Sequence, residues 1–445
     1  MKRLVFIISV VLIALGFLSM TSRAQEKKGS YDDFQKPGEC KRCHTDFYQQ
    51  WKISMMSQAY THHWDEIEYF KLAIPQARKD PKVAEVEAGC NGCHTPMALW
   101  AGDIPPKHPS ENSRANESVS CDVCHSITGF EGDVPFNFNY ILKPGKTKYG
   151  PREGLVSPEH RTEKNEFIRT AEFCGICHNE KNPFGIWVKS TQLEWKEGPY
   201  SKQGVPCQEC HMPRGEGRNA KMADILPDIA NHFFHGAHDP GKIKGAVEMK
   251  IYPIENEIEI GSQIQLKVVL HNAKVGHKIP SGSAEERQLW LHVTAVDAKG
   301  KEYHIKVDKK GFEGEKYTIT SNEPAFFDIG EIMNIPDFKG LQRDALPEGD
   351  RIFKLQYFDH QGRPTICQWN TGSLGTDYRI GPRETKTESY TWTLPDNIAE
   401  GNVTIKAELF YKRLIQSVAD FLKVPADETE VILVNSAYNS FEVFY

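Results

Sequence analysis

The chain has no excess of basic residues and little apolar character. Its 445 residues carry a formal net charge of -6, and its mean hydropathy is -0.52. Proteins that hold a nucleic-acid backbone do so through clustered Lys and Arg, so this charge balance argues against a nucleic-acid partner. A polytopic membrane protein needs several apolar stretches of about 20 residues, and the low mean hydropathy excludes that class.

Cysteine is nearly absent from the second half of the chain, and long helical apolar periodicity is scarce in the first half. Ten of the 11 cysteines lie in the first half, and only Cys367 lies beyond them. With 39% hydrophobic and 26% charged residues, the composition is that of a globular chain rather than a disordered one. We therefore divide the sequence into a polar lead-in at 25–39, a cysteine-rich region at 40–245 and a cysteine-poor region at 246–445.

The ten clustered cysteines form five C-x-x-C-H motifs, where chance predicts roughly 0.01 matches. In chain order the motifs consist of Cys40, Cys43 and His44; Cys90, Cys93 and His94; Cys121, Cys124 and His125; Cys174, Cys177 and His178; and Cys207, Cys210 and His211. In such a motif two thiols form thioethers to one haem, and the adjacent imidazole coordinates its iron. Redox dithiols and zinc sites fit poorly with an odd number of motifs that all end in histidine. The sequence predicts five covalently attached haem c groups with the motif histidines as proximal ligands.

Distal ligands must come from outside the motifs, and five are needed if every iron has two imidazoles. Twelve further histidines are present: His62, His63, His108, His160, His232, His235, His238, His271, His277, His292, His304 and His360. His232, His235 and His238 lie within seven residues, so at least two distal ligands are expected there. His277 is a candidate because a Gly- and Pro-flanked loop can present it to the haem region. His292 lies inside a predicted strand and is interpreted as an ordinary structural residue.

Three other histidines of the haem region are weaker candidates. His108 and His160 lie in loops rich in turn residues, where a ligand and a plain loop residue are equally good interpretations. His62 and His63 are adjacent and point roughly 100° apart on a helix, so at most one of them can reach a given haem. We take His62 as the candidate.

The cysteine-rich region resembles the multihaem c-type cytochromes related to the cytochrome c-554 electron carriers. The resemblance rests on C-D-V-C-H-S-I-T-G at 121–129, E-F-C-G-I-C-H-N at 172–179 and Q-E-C-H-M-P at 208–213. It implies electron transfer, and it favours His232 and His238 over His235 as distal ligands. The G-H-K-I-P-S-G stretch at 276–282 is similar to the β-domain that some of these cytochromes append.

Two features depart from the pattern of these cytochromes. Members often carry W-x-x-S-x-H after the first motif, whereas here Trp51 and Ser54 are followed by Met56 at the histidine position. Methionine is usually core filler, but its thioether can be an axial ligand, so Met56 becomes a distal candidate. Pentahaem nitrite reductases typically use a C-x-x-C-K haem at the active site, and all five motifs here end in histidine.

Strand-like patterns take over in the cysteine-poor region. The expected strands are 247–254, 264–271, 289–297, 388–394, 403–411 and 431–434, with one helix near 414–422. Helices are also expected from Thr45 and across Asp80–Ala88. The predicted fold class is α+β, in which a loop-rich, mainly α multihaem cytochrome domain organised by its haems precedes an antiparallel, immunoglobulin-like β-sandwich.

The N-terminus has the pattern of a secretory signal peptide at residues 1–24. Lys2 and Arg3 precede an apolar run at 4–20, and Ser22-Arg23-Ala24 supplies a small-x-small cleavage site. An uncleaved membrane anchor is the alternative. Cleavage predicts a periplasmic or extracellular bacterial protein with no membrane span, which agrees with haem attachment after export.

The predicted function is electron transfer through five haems. The expected partners are redox proteins, such as a quinol-oxidising complex or other cytochromes. One alternative is an oxidoreductase that acts on a small nitrogen or sulfur compound at a five-coordinate haem. Another is a subunit of an extracellular cytochrome filament, which would be a homo-oligomer. Histidines are plentiful and no acid–base set marks a catalytic site, so the carrier is favoured over the enzyme.

Overall fold

A computed structural model describes residues 28–252, 255–309, 311, 324–343 and 345–445. The predicted signal peptide and the start of the polar lead-in lie outside these residues. Within the described ranges, no helix combines the length and the apolar character that crossing a membrane requires.

The helices are short. Fourteen α-helices lie in the described part of the chain: α1 Pro37–Cys40, α2 Thr45–Lys52, α3 His63–Ile67, α4 Ile74–Lys79, α5 Val86–His94, α6 Pro96–Ala101, α7 Cys121–Cys124, α8 Ala171–His178, α9 Thr191–Glu197, α10 Pro199–Lys202, α11 Cys207–His211, α12 Pro240–Ile243, α13 Phe327–Ile332 and α14 Gln416–Leu422. The longest has nine residues.

The strands are more numerous and reach 13 residues. Those described are β1 Ile127–Phe130, β2 Tyr140–Leu142, β3 Thr147–Gly150, β4 Arg161–Lys164, β5 Asn179–Lys181, β6 Trp187–Ser190, β7 Arg214–Arg218, β8 Ile225–Ala230, β9 Glu248–Tyr252, β10 Glu257–Glu259, β11 Gln263–His271, β12 Gln288–Val296, β13 Glu302–His304, β14 Pro324–Ala325, β15 Leu341–Gln342, β16 Arg351–Ile352, β17 Leu355–Phe358, β18 Ser373–Asp377, β19 Thr385–Thr393, β20 Gly401–Lys412 and β21 Ile432–Phe444.

The chain forms two compact units, and each draws on two stretches of the sequence. Of the described residues, the first unit takes those at 28–169 and 214–234, and the second takes those within 170–213 and 235–445. The first three C-x-x-C-H motifs therefore lie in the first unit, and the fourth and fifth lie in the second. The two compact units do not follow the change in composition on which the sequence boundary at 245/246 was based. That boundary stays a prediction.

In the first unit, short helices alternate with turns and two-stranded ribbons. The helix expected from Thr45 is present as α2, but the helix expected across Asp80–Ala88 is interrupted. Asp80 accepts a hydrogen bond from the backbone N–H of Lys82 at 3.0 Å, which caps a 3-10 turn. Pro81 cannot continue the backbone hydrogen bonding of α4, so the next helix begins only at Val86.

The second unit contains a β-sandwich. One sheet has the order β10-β21-β20-β12-β13, with β16 also paired to β12, and the other has the order β19-β11-β9. Side chains alternate between buried and exposed along β11, as expected for a strand with one face in a core. Leu266 and Val268 of β11 share a single core with Leu289 and Leu291 of β12, which joins the two sheets. The predicted α+β class is confirmed.

The sandwich differs from its sequence-based description in one sheet. β10 pairs with β21 in parallel, so the sheets are not wholly antiparallel. The expected four-residue strand at 431–434 extends over Ile432–Phe444. Its middle carries Asn435, Ser436 and Asn439, whose polar side chains hide the alternation that marks a strand.

Candidate haem-binding site

Short helices hold the cysteine pairs of four of the five C-x-x-C-H motifs. α5 and α8 end at the histidines of the second and fourth motifs, and α11 spans the fifth motif from first cysteine to histidine. Residues three apart on a helix are neighbours on one face, so the two thiols of a motif point the same way. The paired thiols on these helices are those of Cys90 and Cys93 in α5, Cys174 and Cys177 in α8, and Cys207 and Cys210 in α11.

The ten motif cysteines differ from the remaining one in their exposure. All 11 cysteines are outside disulfides, and the motif cysteines are at least partly exposed, whereas Cys367 is buried. Cys93 and Cys177, the second cysteines of the motifs on α5 and α8, are half-buried. The motif cysteines, unlike Cys367, therefore do not lie wholly inside a core. Their covalent attachment to haem stays a prediction, for Cys93 and Cys177 as for the other eight.

Three motif histidines are anchored in the same way. The Nδ1 atom in each lies close to a backbone carbonyl oxygen: His44 to Asn219 at 2.5 Å, His94 to Ala59 at 2.5 Å, and His125 to Tyr149 at 2.7 Å. Metal-ligating histidines commonly donate the other ring N–H to such an acceptor, which sets the tautomer and the ring orientation. The remaining nitrogen, Nε2, would then be left to bind a metal, so these residues fit an iron-bound imidazole.

Two motif histidines have a second imidazole at a separation that suits an iron between them. The ring centroids of His44 and His160 are 6.2 Å apart, and those of His211 and His277 are 6.4 Å apart. With metal–nitrogen distances of about 2.0 Å, two imidazoles on opposite sides of one iron have centroids about 6 Å apart. In both second imidazoles, Nδ1 lies near the carbonyl oxygen of the next residue, at 3.1 and 2.9 Å. The residues present fit bis-histidine haem.

His232 lies close to the third motif. Its ring packs against Phe47 with centroids 4.7 Å apart, and its Nδ1 lies 3.1 Å from the carbonyl oxygen of Ala230. Desolvation, together with the nearby His125, lowers the pKa of His232 to about 4. The imidazole is therefore neutral at physiological pH, which is the form that binds metals.

His108 has both ring nitrogens in contact with other side chains. Its Nε2 lies 2.7 Å from a carboxylate oxygen of Glu66, and its Nδ1 lies 2.8 Å from the hydroxyl of Ser110. An iron ligand needs one free ring nitrogen, so iron binding by His108 would require one of these contacts to open, and its ligand role stays a prediction.

The other three distal candidates are described by contacts of other kinds. His62 is buried with Nδ1 3.3 Å from Asp65, and Nε2 of His238 lies 3.4 Å from Glu428. Met56 lies in a 3-10 turn that follows α2. Their ligand roles stay predictions.

A buried carboxylate fixes the loop that carries His277, and sequence reasoning did not identify it. Glu194 of α9 accepts hydrogen bonds from the backbone N–H of Lys278 at 3.2 Å and from the Ser281 hydroxyl at 2.7 Å. It also pairs with Arg379 at 2.7 Å, and both side chains of this ion pair are 4% exposed. Nothing in the local sequence signals this role, because Glu194 and Lys278 are 84 residues apart.

Acid should weaken this network through Asp377, which pairs with Arg379 at 2.8 Å and Lys278 at 2.7 Å. Burial raises the pKa of Asp377, but its two cationic partners outweigh burial and lower the pKa to about 2. A carboxyl with a lowered folded pKa stabilises the fold above its unfolded pKa of about 3.9 and loses that contribution as the pH falls towards 2. Between pH 5 and pH 2, the free energy of unfolding should fall by about 2 kcal/mol less in D377N than in the wild-type protein, as measured by guanidinium unfolding. The exposed Asp396→Asn is the control. If the free energy of unfolding of D377N fell with pH as steeply as that of the wild type, this expectation would be contradicted.

The comparison with known proteins agrees with the motif geometry. Residues 39–126, which contain the first three motifs, match the family described as cytochrome c554 and c-prime. The crystal structure of a penta-heme cytochrome c552 from Thermochromatium tepidum is similar over 93% of this chain and 99% of that one, with a TM-score of 0.62 and 22% identity. The family match over the first three motifs and the shared fold over the whole chain together support a multihaem c-type cytochrome of this family.

The resemblance drawn from the motifs is therefore confirmed, and so is haem c as the cofactor of the cytochrome. At 22% identity, the likeness to the Thermochromatium protein shows a shared fold. A CARDB domain from Pyrococcus furiosus matches 44% of this chain and 87% of its own chain. Its TM-score of 0.20 at 11% identity is too low to indicate a shared fold. Among curated proteins no match was found.

Proposed function

We propose that this cytochrome carries electrons through five covalently bound haems, in the periplasm or at the cell surface of a bacterium. Each bound haem supplies a one-electron ferric/ferrous couple. Redox proteins would deliver and accept the electrons, with a quinol-oxidising complex or another cytochrome as the expected classes. The five C-x-x-C-H motifs support the haem number.

The observation that carries the proposal is the separation of the imidazole pairs. The rings of His44 and His160 have centroids 6.2 Å apart, and those of His211 and His277 are 6.4 Å apart, the distance expected for two ligands on opposite sides of one iron. An iron with both axial positions filled by protein has no site for a substrate, whereas metal catalysis needs an open position. With His160 and His277 as ligands, these two irons would lack such a position, which favours transport of electrons over chemistry on a small molecule.

The attachment points are also close together in pairs, which supports short electron paths. The thiols of Cys40 and Cys121 are in hydrogen-bonding contact, and so are those of Cys174 and Cys207. Thioether-bearing haem edges would therefore meet between the first and third motifs and between the fourth and fifth.

Electron paramagnetic resonance of the oxidised protein, with haem quantified per chain, tests the proposal. We expect five haems and low-spin ferric signals only. A stoichiometric high-spin signal that shifts when nitrite, hydroxylamine or sulfite is added would overturn the carrier and support an oxidoreductase. Fewer than five haems would overturn the haem count alone.

Replacing a distal histidine should open one iron without releasing its haem. H160A removes the imidazole paired with His44, so one haem should change from low-spin to high-spin while its two thioethers remain. H277A should do the same for the fifth motif. H108A is the matched control, because both nitrogens of His108 are engaged by Glu66 and Ser110. A low-spin spectrum in H160A, or a high-spin haem in H108A, would contradict these assignments.

A further inference from the structure

Two histidines and an aspartate meet on one face of the large sheet of the sandwich, away from the C-x-x-C-H motifs in sequence. His292 lies on β12, His304 ends β13, and Asp350 comes just before β16. β13 and β16 pair with the same edge of β12, one towards each end. Continuing the β12–β16 register from Leu291 opposite Arg351 places Asp350 opposite His292. The three side chains therefore converge at the point where the strand paired with this edge of β12 changes from β16 to β13.

The donor atoms of these three residues are close together. One Asp350 oxygen lies 2.8 Å from Nδ1 of His292 and 2.8 Å from Nε2 of His304. All three residues can offer a ligand atom within 4.8 Å of one another. The carboxylate is fully buried, while the imidazoles are 24% and 28% exposed. A small ion could thus enter from solvent and find a buried negative charge behind two nitrogen donors.

The two imidazoles have the mutual placement of ligands that share one ion. Their ring centroids are 4.9 Å apart. With metal–nitrogen distances of about 2.0 Å, this separation corresponds to an angle of about 100° at the metal, between the octahedral and tetrahedral values. The two imidazole pairs of the haem sites, at 6.2 and 6.4 Å, instead match ligands on opposite sides of an iron.

The surrounding charge also favours a cation. Glu302 of β13 and Glu408 of β20, which is opposite His292 in the sheet, add negative charge towards the imidazole of His292. Lys406 pairs with Glu408 at 2.7 Å and offsets part of that charge. Lys306 is held 3.4 Å from Glu348. Asp350, Glu302 and Glu408 therefore all add negative charge at the His292 imidazole.

We propose that His292, His304 and Asp350 form a binding site for one divalent transition-metal ion, with zinc as the best match. Imidazole suits zinc and its neighbours, whereas calcium and magnesium require mostly oxygen donors. Three protein donors leave a position for water on the exposed side. The ion would tie β13 and β16 to β12 at a point where backbone pairing changes from one to the other. This site is independent of the haem sites and of the proposed electron transfer.

Metal analysis of the haem-loaded protein tests the site. Protein treated with a chelator, incubated with zinc chloride and dialysed should hold one zinc per chain, while the covalently attached haem iron stays constant. H292A, H304A and D350N should each lose that zinc. His271→Ala is the matched control, because His271 is a sandwich histidine whose Nδ1 lies 2.9 Å from the hydroxyl of Thr385. Zinc retained in all three site variants, or lost in the control as well, would overturn the proposal.

A second variant and readout separate metal loss from misfolding. H304Q keeps a side-chain N–H that can reach Asp350 but removes an imidazole ligand. Zinc should raise the thermal midpoint of the wild-type protein and leave that of H304Q unchanged, because only a site present in the folded state shifts the unfolding equilibrium. Equal zinc-dependent shifts in wild type and H304Q, or no zinc-dependent shift in wild type, would also overturn the proposal.

Discussion

Replacing Cys207 and Cys210 together with alanine should lower the covalent haem content by one group per chain, from the proposed five to four. The two thioethers of one haem are made only by the cysteines of its own motif. His211 and His277 could still hold a haem through the iron, but that haem would be lost on denaturation. The mass of the denatured chain measures the effect directly, together with haem quantification before and after unfolding.

The fifth motif is the best place for this experiment, because its unit has an apolar core of its own. The two sheets of the sandwich share buried side chains such as Leu266, Leu289 and Ile405. The unit should therefore fold without one haem. C367A is the control, since Cys367 is buried away from the motifs and its loss should leave five haems. Five covalent haems in C207A/C210A would refute the attachment scheme.

Replacing Glu194 with alanine will lower the free energy of unfolding by about 3 kcal/mol. The change removes the carboxylate that pairs with buried Arg379 and that accepts from the backbone of Lys278 and the hydroxyl of Ser281. A buried cation that loses its partner is costly, and unfilled hydrogen bonds add to the cost. Guanidinium unfolding of the haem-loaded protein measures the difference.

Glu194 is a positioning residue, so the E194A variant should also disturb the haem next to its loop. The loop carries His277, and its release should give the fifth haem a partial high-spin signal. E194Q retains an acceptor oxygen for the loop but loses the charge that pairs with Arg379. Compared with E194A, it should therefore recover more of the wild-type spectrum than of the wild-type stability. Glu197, exposed on the same helix, supplies the control E197A. If E194A and E197A agree within about 0.5 kcal/mol and share one spectrum, the role assigned to Glu194 is wrong.

The motifs and the strands could be predicted because both depend on short-range patterns. A C-x-x-C-H motif is complete within five residues, and the alternation along β11 is visible within nine. The anchors of the motif histidines could not be predicted, since they are backbone carbonyls. A carbonyl is present in every residue, so the sequence does not distinguish Asn219 or Tyr149 from any other position. The parallel edge formed by β10 and β21 was missed because it joins segments more than 170 residues apart.

The distal candidates illustrate the same limit. His108 and His160 looked equivalent, as single histidines in loops of the haem region. In the structure one meets the Glu66 carboxylate and the other lies 6.2 Å from the ring of His44. His292 was interpreted as an ordinary strand residue, and the two residues with which we propose it binds a metal, His304 and Asp350, lie at the end of β13 and just before β16. The role of a histidine depends on residues that are remote in sequence, and these residues cannot be identified from the local sequence.

The division of the first unit into two stretches has a consequence for the order of assembly. Its second stretch, 214–234, supplies the Asn219 carbonyl that orients His44 from 175 residues away. It also supplies the Lys221 N–H that binds the carbonyl of Cys43. A chain made from its N-terminus therefore produces the first motif early but completes its surroundings only after the fourth and fifth motifs have been made. The haem nearest the beginning of the chain would therefore reach its final environment only late in synthesis.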